Sequence, residues 1–285
     1  MAFRTILTVL TGAESDRRVL DAAFDIGRPV AARITALYAD GDPNEIPAAY
    51  MADGMGVYIT TEIQQGLEIQ FARRREVASQ HFDDWKRRHR IDNPGTMGSG
   101  PTTRLQVAFG AMPELLQEHG PLADLIITAL PENGQSMALE AATFCTGRPV
   151  LAIPLVGHVS IAQTAPIAVA WKRGPEAARA LAAALPFLSV CSGKISVLGV
   201  GEPDEPKNLT PVVDYLAMHG IKAQGRTIPD RAGGTGAILL EEAGRHGAGL
   251  LVMGAYSHGR WRELVLGGVT RHVLKYARLP VLFSH

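Results

Sequence analysis

The sequence is poor in the features that would mark it early for export, for a membrane or for metal chemistry. It has only two cysteines, Cys145 and Cys191, in different halves of the chain and outside any ligand-type spacing. That excludes a disulfide framework and is expected of free, semi-buried thiols in a reducing cytoplasm. No apolar run reaches the ~18 residues of a membrane span. The N-terminal MAFRTILTVLTG has a short apolar run ending in a turn and lacks a small-residue cleavage site, so it reads as a first strand and not as a signal peptide. Formal net charge is +0, which removes any whole-protein field toward nucleic acid or an anionic membrane. The local basic runs Arg73–Arg75 and Lys86–Arg90 lie in a long amphipathic segment and read as its solvated face. Histidines such as His81, His89, His119 and His246 are scattered without metal-ligand spacing, and no metal site of protein ligands is expected. No nucleophile with an oriented base and acid stands out either: His258 beside Ser257 cannot face it, and no catalytic residue is assigned.

What is present is length, apolar content and repetition. With 285 residues and 46% hydrophobic content, the chain can bury the core of one large domain or two ordinary ones. ADLIITALPENG (123–134) recurs in character as AGLLVMGAYSHG (248–259), and GRPVLAIP (147–154) as ARLPVLFSH (277–285). FRTILTVLTG with its following helical pattern is answered by PIAVAWKRG with residues 175–185. Two copies of one α/β unit are the economical explanation, as 1–154 and 166–285 joined by a linker at 155–165.

Short apolar strand patterns alternate with helical ones in both copies. The first copy reads as strands 5–10, 33–38, 104–108, 125–129 and 150–153, with helices 15–27, 61–89, 112–119 and 136–145. The second reads as strands 167–170, 194–198, 222–227, 250–253 and 281–283, with helices 176–185, 210–219, 237–246 and 269–276. This order implies, for each copy, a five-stranded parallel sheet with helices on both faces: an α/β, Rossmann-like fold in tandem. Residues 41–61, rich in Gly, Pro and Asp, receive no assignment.

The stretch GAYSHGRWRELVLGGVTRHVL (254–274) places glycines between a buried-strand pattern and a helix pattern. Gly267 and Gly268 fall at the mouth of a helix, where free N–H groups and the helix dipole favour an anion. The first copy has ALPENGQSMALEAATFCTG instead. There Gly147 with Arg148 reads as a helix-terminating turn before Pro149, and that copy is expected to hold no nucleotide. In an open parallel sheet the ligand rim lies beyond the carboxyl ends of the strands near the reversal of strand order. In the second copy that rim comprises Ala170, Trp171, Lys172 and Arg173, then Val200 and Gly201, then Met253 to Ser257 with Gly267, Gly268, Val269 and Thr270. Arg260 and Arg262 could meet a phosphate tail or pair with Glu263. Tyr256, Trp171 and Trp261 could stack on a base or pack as core or interface.

The 254–274 stretch resembles the C-terminal signature of the universal stress protein family, G-x-x-G-x9-G-[ST]. Gly254 and Gly267 match the first and third glycines, Ser257 falls on the second and Gly268 on the terminal Ser or Thr. The resemblance covers nearly the whole chain as two tandem domains of an adenine nucleotide alpha hydrolase-like fold. It implies an ATP or other adenine nucleotide site, with magnesium, in the second domain, Val200 standing for the valine that touches the base. Lys172 or Arg173 stands where the family places an Asp near the ribose, and a cation cannot accept a hydroxyl. The resemblance further implies a cytoplasmic protein of stress tolerance or signalling with no defined turnover, paired through Val150–Ile153 and Val281–Phe283 as an intramolecular pseudo-dimer, with a homodimer of chains possible. The alternative is an interaction or scaffold module that keeps the fold and has lost the ligand.

Overall fold

The computed structural model describes residues 2–40, 61–91, 100–131, 136–157, 164–201, 209–255 and 267–285, with side chains from residue 65 in the second of these. Ten strands form one sheet: β1 (Thr5–Leu10), β2 (Arg33–Asp40), β3 (Thr102–Phe109), β4 (Leu125–Ala129), β5 (Val150–Ile153), β6 (Ile167–Ala170), β7 (Ile195–Gly201), β8 (Ala223–Pro229), β9 (Leu250–Gly254) and β10 (Val281–Ser284). The eight α-helices described are α1 (Ser15–Gly27), α2 (Thr61–His89), α3 (Met112–His119), α4 (Met137–Cys145), α5 (Pro175–Val190), α6 (Thr210–Met218), α7 (Gly234–Arg245) and α8 (Gly268–Tyr276).

The strand order is β3-β2-β1-β4-β5-β10-β9-β6-β7-β8, so each half repeats one doubly wound arrangement. Within each half every pairing is parallel. The halves join through an antiparallel contact, Val281 opposite Ala152 and Phe283 opposite Val150. β5 and β10, expected as edges that meet, are thus the centre of a continuous sheet. Central strands such as LIITA and VLAI are buried along their length, as parallel strands covered on both faces must be. β8, at one edge, is exposed over most of its residues.

One apolar cluster runs across both halves on one side of the sheet, from Phe3, Leu20 and Trp85 to Leu181, Leu185 and Val252. A second covers the other side, from Leu116 and Leu139 to Leu239, Val273 and Phe283. Phe3 meets Phe187 across the halves with ring centroids 4.9 Å apart. The start of the linker is held from both directions: Arg18 on α1 donates to the Pro154 carbonyl at 2.8 Å and the Gly157 carbonyl at 2.7 Å. Gly157, at φ +94°, lies so near the Arg278 carbonyl that a Cβ would come within 2.6 Å of it.

Two expectations are corrected. α5 does not stop at Leu185 but continues through Pro186 to Val190, because Phe187 and Leu188 carry its buried face onward. Cys145 is exposed and not semi-buried, lying at the solvent side of the last turn of α4.

Candidate functional site

The strand order reverses between β1 and β4 in the first half and between β6 and β9 in the second. A doubly wound sheet opens a crevice at these points, beyond the carboxyl ends of the strands. In the second half, Val169 lies opposite Val252 and Ala170 opposite Leu198, so Ala170, Val200, Met253 and Gly254 arrive together at that end of the sheet. Met253 is buried and forms wall, while Ala170 and Val200 are half-buried. Trp171 donates its backbone N–H to the Leu198 carbonyl at 2.8 Å and packs against the core. Lys172 and Arg173 project from the following turn, exposed and without an ion-pair partner among the described residues.

The glycines of the motif divide by role. A Cβ at Gly254 would stand 2.7 Å from the backbone N of Ala177 and 2.7 Å from the carbonyl carbon of Glu176. Only a glycine lets the first turn of α5 rest directly on the end of β9. Gly267 and Gly268 are exposed, with nothing within 4 Å of a Cβ at either. Gly267 is the N-cap of α8 and supplies no side-chain acceptor to the N–H groups of the first turn. Val269 is half-buried against the core and Thr270 buried, so their contribution at the rim is backbone. Ser257 lies outside the described residues, as do Tyr256, His258, Arg260, Trp261, Arg262 and Glu263.

Counting back from Val150 and Val281, Ser136 stands where Gly267 stands, Met137 where Gly268 stands and Glu140 where Arg271 stands. The Ser136 hydroxyl accepts from the Leu139 N–H at 3.2 Å, and Glu140 places an acid in the first turn of α4. The first half therefore occupies its own helix start with a hydroxyl and a carboxylate. In the second half Gly267 gives the equivalent start no side-chain cap, and Arg271 stands in the first turn.

The ends of β1 and β6 differ in the same sense. Ile6 pairs with Leu125 as Ile167 pairs with Leu250, which sets Thr11, Gly12 and Asp16 against Lys172, Arg173 and Ala177. Asp16, 1% exposed, accepts the Thr11 N–H at 2.9 Å, the Thr11 hydroxyl at 3.1 Å and the Gly12 N–H at 2.8 Å. Burial pushes its carboxyl upward from the ordinary value, against the opposing pull of those bonds and of His81. α2 then covers the turn: Gly12, at φ +72°, lies where a Cβ would be 2.6 Å from the Arg74 carbonyl. Asp16 and the covering helix were not singled out from the sequence. The buried end of β1 is intelligible only once α2 is seen lying over it.

The strand order and the helices on both faces define the class: a doubly wound α/β protein in two repeated halves, with α2 lying over the end of β1 in the first. Residues 164–285 match the family model described as "Universal stress protein family". The fold of the whole chain is similar to that of a universal stress protein from Archaeoglobus fulgidus DSM 4304, at TM-score 0.70 and 15% identity, over 100% of this chain and 99% of that one. It is also similar to a functionally unknown protein from Pseudomonas aeruginosa PAO1, at TM-score 0.58 and 13% identity, over 99% of this chain and 92% of that one. At these identities the likeness is one of fold. No curated protein sequence matches the chain.

Among the described residues no helix is long and apolar enough to cross a membrane, and no group of three or more His, Cys, Asp or Glu side chains is arranged to hold a metal ion.

Proposed function

We propose that the chain is a stress-response protein of two tandem domains, 1–154 and 166–285, whose second domain alone binds an adenine nucleotide, ATP with magnesium being the first candidate. The observation that carries this reading is the contrast at equivalent helix starts: Ser136 caps α4 with its own hydroxyl, whereas Gly267 gives α8 no side-chain cap. The nucleotide lies with its phosphates on Gly267, Gly268 and the Val269 and Thr270 N–H groups. Its sugar and base run along Ala170, Trp171, Lys172 and Val200, with Met253 and Gly254 as floor and Ser257 closing the phosphate loop. Magnesium is held by the phosphates and water. The protein works in the cytoplasm by presenting a nucleotide-dependent surface, as an intramolecular pseudo-dimer that pairs further into a homodimer, and not by turnover.

A nucleotide that binds only the folded state raises the melting temperature. The test is a thermal scan with ATP and magnesium; a rise in Tm that grows with nucleotide concentration supports the reading, and an unchanged Tm at millimolar ATP rejects it.

The second reading, an interaction module without ligand, is favoured by Lys172 and Arg173, which offer a sugar no acceptor. Mass spectrometry of small molecules released from the purified native protein separates the two: adenine nucleotide in the released fraction sinks the second reading.

A further inference from the structure

The sheet ends in β3 on one side and β8 on the other, at equivalent places in the two halves, and among the described residues no strand pairs with the outer side of either. The two edges are built differently. On β3 the Thr102 N–H donates to the Ala32 carbonyl and, past the far end, the Gly110 N–H donates to the Asp40 carbonyl. Backbone groups alternate in direction along a strand, so the even-numbered residues bond to β2, while Thr103, Leu105, Val107 and Phe109 turn their N–H and C=O groups outward. On β8 the Asp230 N–H donates to the Gly201 carbonyl, and the same alternation turns Ala223, Gly225, Thr227 and Pro229 outward.

The outward set of β8 resists pairing. Pro229 has no N–H to give, Gly225 has no side chain to pack, and the exposed Arg226 lies between Gly225 and Thr227. β3 carries none of these devices at its outward positions, which are uncharged and mostly apolar, with Val107 37% and Phe109 67% exposed. Their side chains share one face of the sheet, where Leu105 packs on the same apolar cluster as Phe82 and Trp85 of α2. Ala108 packs on the opposite cluster, and on that face Gln106 Nε2 lies 3.0 Å from His119 Nε2 of α3.

This edge is complementary to itself. If a second β3 runs antiparallel to it with Gln106 on the two-fold axis, Thr103 stands opposite Phe109 of the second copy and Leu105 opposite Val107. These are outward residues facing outward residues, so each pair exchanges both backbone hydrogen bonds. The register uses the whole outward set and places apolar side chains side by side on the α2 face. Arg104 falls opposite Ala108 and about 13 Å along the strand from its own copy, which keeps the two guanidinium groups apart. The chain already makes such a join once, where β5 and β10 pair antiparallel to unite its halves.

We infer that β3 is the docking edge for a second copy of this chain, joining two ten-stranded sheets into one through antiparallel β3 strands centred on Gln106. The inference rests on the homodimer of the functional reading and supplies its surface.

Sedimentation velocity of the full chain at micromolar concentration tests it, with Val107→Lys as the variant and folding checked by circular dichroism. The natural chain is expected to run at twice the chain mass and Val107→Lys as a monomer, since a lysine on an edge opposes pairing. The second measurement is cross-linking under mild oxidation in a Cys145→Ser background. Gln106→Cys meets its own copy with Cα atoms about 4.5 Å apart and forms a covalent dimer, whereas Arg104→Cys lies beyond the ~7 Å reach of a disulfide and does not. A monomeric natural chain overturns the inference together with the homodimer of the functional reading, and leaves the edge to a strand of another protein. A dimer that survives Val107→Lys, or that cross-links through Arg104→Cys as readily as through Gln106→Cys, overturns the β3 edge alone.

Discussion

Replacing Gly254 by alanine separates the two meanings of the glycine motif. The added methyl carbon would lie 2.7 Å from the Ala177 nitrogen, 2.7 Å from the Glu176 carbonyl carbon and 3.0 Å from the Glu176 Cβ. Two of those neighbours are helix backbone, so relief requires moving the start of α5 away from β9. Overpacking of this kind costs about 1–3 kcal/mol. A ΔΔG of ~2 kcal/mol lowers Tm by roughly 4–8 °C in a protein of this size class. Gly268→Ala is the control, because its Cβ meets nothing within 4 Å and alanine is the better helix former. That variant is expected to unfold within about 0.5 kcal/mol of the natural protein, on the stable side if anything. Urea unfolding of both variants without nucleotide measures the difference. If Gly254→Ala is as stable as Gly268→Ala, the claim that Gly254 serves the packing of β9 on α5 is wrong.

Asp16→Ala strands the Thr11 and Gly12 N–H groups beneath α2 and is expected to cost ~2–4 kcal/mol, read by chemical denaturation. Burial holds the Asp16 carboxyl above its ordinary 3.8, so the folded state keeps that proton longer than the unfolded one. The stability linked to that retained proton is complete below 3.8 and is lost as the pH rises through the folded midpoint; a carboxyl NMR titration with a midpoint at or below 3.8 refutes this. Cys145 is exposed, whereas Cys191 is half-buried with its thiol pushed up by burial, so a thiol reagent at neutral pH modifies Cys145 first. Equal rates would contradict that order.

The architecture was legible because parallel strands buried on both faces announce themselves as short apolar runs between helical patterns, and because two copies repeat them. LIITA and LLVMG needed no tertiary knowledge. Helix ends were less legible where a local stop signal opposed burial: Pro186 argues for termination, but Phe187 and Leu188 need the core. The lack of a side-chain cap at Gly267 on α8 followed from its identity, since glycine cannot cap with a side chain. The filled crevice of the first half did not follow from its sequence. Asp16 reads as an ordinary first-turn acid until α2 covers it, and His81 and His89 read as scattered until Trp85 is found buried between them. Their common helical spacing was the available signal.

The central proposal is that the second domain alone holds a nucleotide. Isothermal titration of the full chain with ATP and magnesium tests it most directly, alongside Gly268→Asp, which places a carboxylate at the start of α8. The account predicts one nucleotide per chain, lost in Gly268→Asp while the melting temperature without nucleotide holds. Two nucleotides per chain, none, or binding that survives Gly268→Asp would contradict it.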